Sequence, residues 1–294
     1  MTPMPIHALT RIVAVFITVL IASRTSGILW SSLFWSIAFV HYGLALYYSR
    51  HRILAVAKDS SSLVPALIVL SGGAALYVSQ FSLLLYFGVH HVFNEVYLLD
   101  RKLPAKEAER RRGLRVAAIF LNAAIYAVLL RHYSELAWIG PEFLFVVLLF
   151  FYALFFYRLG QLRPVLGVRG MIDGSIFEVF GLLLVLSSFF VRFDLNHIVL
   201  YHFIFWSLYP IEKFKRLGDG ALWRYAAISL VMVVVFMLFS PAGIAGGAVS
   251  ESFYYQQFIF WSYAHITLSF VLSDAHPAWI TRWFRSDRRQ WAVS

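Results

Sequence analysis

Five histidines carry the chemistry this sequence can offer. His41, His90, His91, His202 and His265 lie well inside apolar stretches, whereas His7, His51, His132 and His276 fall in loops or ends and His197 at a helix start. A charge in hydrocarbon costs roughly 2.5–3.5 kcal/mol or more, so ionisable groups there usually face a bundle interior and mark function. Neutral imidazole is a good ligand for iron, zinc and copper. Four separate stretches bring a histidine to a similar depth, which predicts a shared site. Three or four histidines with a carboxylate and an open position suit non-haem iron and oxygen chemistry. Glu95, Glu178 and Asp274 are the carboxylates at hand. Glu95 follows His91 by four residues, so both project from one helix face. Glu95 and Glu178 are expected to ligate directly or to accept the free N–H of a ligand histidine and fix its tautomer. His90 and His91 point about 100° apart on a helix, so one of the two is expected among the ligands. The competing reading is that the histidines are hydrogen-bonded contacts between helices.

Cysteine is absent, which removes disulfides, thiolate metal sites and iron–sulfur clusters together. Any metal must be held by His, Asp, Glu or backbone oxygen.

The elements that position these residues follow from composition. Of 294 residues, 61% are apolar and 14% charged, against about half and a quarter in a soluble domain. The expected fold is all-α, a polytopic membrane bundle of about ten transmembrane helices. The predicted spans are 9–25, 29–48, 62–79, 80–99, 115–131, 138–157, 173–192, 197–212, 223–240 and 254–273, with ambiguous breaks at Gly72-Gly73 and Gly246-Gly247. Residues 1–276 are read as the bundle and 277–294 as a basic amphipathic tail in the membrane plane, with Trp279, Trp283 and Trp291 among the headgroups.

The net charge of +10 sits in short loops, so it points to the bilayer and not to nucleic acid. Loops after the even-numbered spans, together with the two ends, hold every Lys and Arg except Arg24, Arg131 and Arg192. Lys and Arg are retained on the cytoplasmic side during insertion, so both termini are expected in the cytoplasm, with the bacterial inner membrane as the expected location.

A weak internal repeat runs through the even-numbered spans. Each of Phe39-Val40-His41-Tyr42-Gly43, Gly88-Val89-His90-His91-Val92, Leu200-Tyr201-His202-Phe203 and Ser262-Tyr263-Ala264-His265-Ile266 puts a histidine among aromatics, and the sixth span has Tyr152 instead. A subset of these aromatics is expected to line a pocket for a hydrophobic substrate entering from the bilayer.

Three of these stretches carry a resemblance. Phe39-Val40-His41-Tyr42-Gly43, Tyr201-His202-Phe203-Ile204-Phe205, and Tyr263-Ala264-His265 with Asp274 further on resemble motifs of the bacterial beta-carotene oxygenase-like membrane proteins, the Brp/Blh group. That resemblance implies a multi-helix membrane protein with a few intramembrane histidines binding iron. The chain departs from the pattern in its doubled His90-His91 with Glu95, and in lacking a second histidine four residues after His202. No His-x-x-His-His boxes of the membrane desaturase kind occur.

The expected function is therefore a metal-dependent membrane oxygenase, with iron as cofactor, acting on a carotenoid, isoprenoid or fatty acyl chain. A bis-histidine haem b electron carrier is the first alternative. A transporter or assembly subunit without chemistry is the second.

Overall fold

A computed structural model describes residues 6–24, 28–58, 67, 71, 80–100, 108–133, 136, 138–211, 214, 217–243 and 250–272. Among them the chain is all-helical, with no strand. The described helices are α1 (Ile6–Arg24), α2 (Ile28–Lys58), α3 (Gln80–Asp100), α4 (Ala108–Leu129), α5 (Pro141–Gly160), α6 (Arg163–Ser187), α7 (Leu195–Leu208), α8 (Asp219–Phe239) and α9 (Glu251–Leu272). Most of the span expected at 62–79, both Gly-Gly breaks, Asp274 and the tail 277–294 lie outside the described residues.

Among the described residues, three segments are long and apolar enough to cross a membrane: Arg112–Leu129, Pro141–Gly160 and Asp219–Phe239. α7 has 14 residues, fewer than the ~20 that a straight crossing of the hydrocarbon needs. The outward faces are strongly apolar. On α5, Phe143, Val146, Leu149 and Phe150 are exposed. On α8, Tyr225 is the buried residue, while Leu230, Val231 and Val234 are exposed. Exposed apolar patches of this kind mark contact with a partner or a membrane.

The chain folds as two compact units. The first comprises Met1–Thr25 and His91–Arg216, and the second Ser26–His90 and Leu217–Ser294. In the first, α1 packs on α6 and α7, and α4 on α5 and α6. Its core is built from fully buried Leu121, Phe155, Leu159 and Phe203. Two glycines let α6 approach its neighbours closely. A Cβ on Gly181 would stand 2.7 Å from Ile125 Cδ1 of α4, and one on Gly174 would stand 3.0 Å from Leu159 Cδ1 of α5. Small residues at such crossings allow close backbone approach. Gly167 bends α6 near its start: its φ of 62° with ψ of −178° is backbone that glycine adopts without steric cost.

One end of this unit is tied by Arg131, just past α4. Its guanidinium donates to Val128 O at 2.9 Å, Ser188 Oγ at 2.9 Å and Ser188 O at 2.8 Å. It also lies against the stacked rings of Phe145 and Phe189. The neighbouring His132 has its pKa lowered by partial burial, then by the Arg131 and Arg192 charges, with Asp194 opposing. A histidine lowered on folding binds more protons when unfolded, so its contribution to stability is lost as pH falls through its unfolded value of about 6.5. His132→Asn is therefore expected to flatten the acid side of a melting-temperature profile recorded across that value.

In the second unit α2 packs on α8 and α9. Its core includes Phe34, Trp35, Ala38, Phe258, Phe270 and Val271, all buried.

Candidate metal centre

The second unit brings three of the five histidines together. His41 of α2 and His265 of α9 face each other, with Nε2 atoms 3.2 Å apart and ring centroids 4.7 Å apart. The His90 ring, from α3, stands edge-on to His265 with centroids 5.5 Å apart. His41 and His90 are buried.

Side-chain bonds between helices set the rotation of each one. The Tyr42 hydroxyl donates to Ser262 Oγ at 2.7 Å, and Ser262 in turn donates to Phe258 O. These bonds fix α2 against α9 one residue from His41. On α3, Ser82 and Tyr86 pair with Tyr263 and Thr267 of α9, each at 2.7 Å. Ser82, Tyr86 and His90 recur every four residues, so they form a single stripe down α3. The Tyr86 and Tyr263 rings also stack at 5.4 Å. The ladder therefore delivers His90 and His265 to the same face.

The 3.2 Å separation has two chemical meanings. One imidazole, as the Nε2–H tautomer, donates to the other. Alternatively both present lone pairs to one ion. Metal–imidazole bonds are about 2.0–2.1 Å long, so two ligands on neighbouring coordination positions hold their nitrogens roughly 2.9–3.4 Å apart, and ligands on opposite sides about 4 Å. The observed distance fits neighbouring positions. It does not fit the two axial positions of one haem iron, so this pair as placed is not a bis-histidine haem site. Neutral nitrogen donors suit iron, zinc or copper.

The other two histidines belong to the first unit. His91 of α3 and His202 of α7 have ring centroids 5.9 Å apart. His91 also lies edge-on to Tyr201, and His202 lies beside Trp206. Although adjacent in sequence, His90 and His91 thus serve different units, as the ~100° step between consecutive helical residues allows.

Both expected carboxylates are buried in the first unit. Glu95 Oε2 accepts from Arg11 at 2.7 Å, and the Tyr201 hydroxyl lies 3.5 Å from both Glu95 oxygens. Glu178 Oε1 accepts from Asn122 Nδ2 at 3.2 Å, and Tyr152 donates to the Glu178 carbonyl at 3.1 Å.

Arg11 stands in the sequence among the end charges, and the structure adds its partner. It is 3% exposed, and its guanidinium neutralises Glu95 inside the unit. A charge count along a chain does not see a partner more than eighty residues away. His197 is explained as a cap: its Nδ1 accepts from the Asp194 N–H at 3.0 Å, which satisfies a donor at the start of α7. The Ser82–Tyr263, Tyr86–Thr267 and Tyr42–Ser262 pairs were missed. The four-residue spacing on α3 was the available signal, but nothing in the chain named its partners. No protein-family model, no curated protein and no solved structure matches the chain.

Proposed function

We propose that this chain is an integral membrane, metal-dependent oxygenase acting on a hydrophobic substrate such as a carotenoid, isoprenoid or fatty acyl chain. The observation that carries the reading is the 3.2 Å approach of His41 and His265 Nε2, with His90 beside them. His41 and His265 form the core of the ligand set. His202, His90 and His91 are the candidates to complete it, to be tested in the same assays. Iron, when bound, supplies one-electron and oxygen chemistry. The protein's part is to hold neutral imidazoles in fixed orientation and to keep water away from an apolar substrate.

Lipid-like surroundings are supported by the exposed apolar faces of α5 and α8. Together with the one-sided placement of Lys and Arg, they support a bundle of about ten spans in a bacterial cytoplasmic membrane, with both ends in the cytoplasm.

Elemental analysis of detergent-purified protein, with an absorption spectrum of the same sample, tests the reading. Near-stoichiometric iron without a Soret band is expected. A Soret band would transfer the reading to a haem electron carrier. Protein free of iron, zinc and copper would leave the histidines as contacts between helices.

A further inference from the structure

The first unit holds a small cavity of mixed polar and apolar lining, apart from the His41–His265 pair. Arg11 and Thr18 of α1, His91 of α3, Asn122 of α4 and Tyr201 of α7 form its polar wall, and residues such as Leu184 and Phe193 form the apolar one. It has room for a molecule the size of water. A carotenoid or acyl chain does not fit.

Thr18 is the telling residue. It is 1% exposed, it lines the cavity, and its hydroxyl has no hydrogen-bond partner among the described residues. A threonine inside a helix commonly returns its hydroxyl to the carbonyl one turn back, and here it does not. Buried polar groups in folded proteins are almost always satisfied, by ordered water where protein offers nothing. The neighbours supply what such a water needs. Asn122 Nδ2 donates to Ala118 O and to Glu178 Oε1, so its own Oδ1 remains as the acceptor. Tyr201 brings a second hydroxyl, beside Glu95.

We propose that this cavity is a binding site for water, held by Thr18 with Asn122 and Tyr201. The water joins the Arg11–Glu95–Tyr201 group to the Asn122–Glu178 pair as one hydrogen-bonded network. Thr18, Asn122 and Tyr201, which hold the water, are not among the proposed ligands, and the test of this site is separate from that of the metal centre.

The isosteric variant Thr18→Val separates a wet cavity from a dry one by the sign of its effect. In a dry cavity, removing an orphaned hydroxyl stabilises the protein. In a wet cavity the water loses a partner, and the melting temperature in detergent is expected to fall by roughly 2–4 °C. The direct measurement is water-edited solid-state NMR of the full chain in liposomes. Early magnetisation transfer from water to Thr18 and Asn122 is expected in the native protein, with the Asn122 signal weakened in Thr18→Val. Transfer to Thr18 and Asn122 as slow as to the core residues Leu121 and Phe155, or a rise in melting temperature in Thr18→Val, would overturn the proposal.

Discussion

His265→Ala is expected to lose its metal at chelator concentrations that leave the native protein loaded. Residues that merely orient a ligand change metal affinity by about 10–100-fold when removed. Loss of a ligand itself should weaken binding by more than ~100-fold. His41→Ala should behave alike, because the two nitrogens lie 3.2 Å apart and serve the same point in space. Adding the second substitution to the first should then change little, since residues acting as one unit are strongly non-additive. Removing the metal from native protein should also lower its melting temperature, as any ligand specific for the folded state stabilises it. Ser262→Ala provides a graded control. It frees the Tyr42 hydroxyl that fixes α2 against α9, so a smaller loss of affinity is expected with the ligands intact. The readout is metal per protein after equilibrium dialysis against a chelator series. Full retention in both histidine variants would remove this pair from consideration as a ligand set.

Glu95→Ala should be the most destabilising single change in the first unit. The Arg11–Glu95 contact is 2.7 Å long, and the two side chains are 4% and 1% exposed. Breaking a buried pair by deleting one partner typically costs about 3–5 kcal/mol, because the other charge stays buried and uncompensated. Arg11→Ala should cost a similar amount for the mirror reason. The double variant Arg11→Met with Glu95→Met removes both charges and fills the space, so it should recover most of the loss. Reversible unfolding in mixed micelles, followed by circular dichroism, gives the comparison. A Glu95→Ala protein within about 0.5 kcal/mol of native, the range of an ordinary surface substitution, would mean that Arg11 reaches solvent once its partner is gone.

These two expectations rest on different kinds of legibility. His41, His90, His91, His202 and His265 are visible in the sequence because each is a polar interruption in an apolar stretch, and such interruptions are costly unless they serve a purpose. Glu95 and Glu178 are visible for the same reason. The polar buried set of the structure contains both carboxylates. Sequence depth located them, but depth alone does not choose a partner. Glu95 was paired with His91 by helix periodicity, yet its closest polar contact is Arg11, from α1, more than eighty residues earlier in the chain.

The sequence by itself determined the helical class, the apolar faces of α5 and α8, and the histidines as the residues worth testing. Those features follow from composition and from the 3.6-residue period, which are local properties of the chain. Tertiary structure alone decided which histidines meet. His41 and His265 are separated by 224 residues, and their approach depends on how α2, α3 and α9 are rotated about their own axes. That rotation is set by Tyr42–Ser262, Tyr86–Thr267 and Ser82–Tyr263. Hydrogen bonds of this kind require both partners at one height and facing one another, a condition on three dimensions that no one-dimensional spacing contains. The same reason assigns neighbouring His90 and His91 to different units.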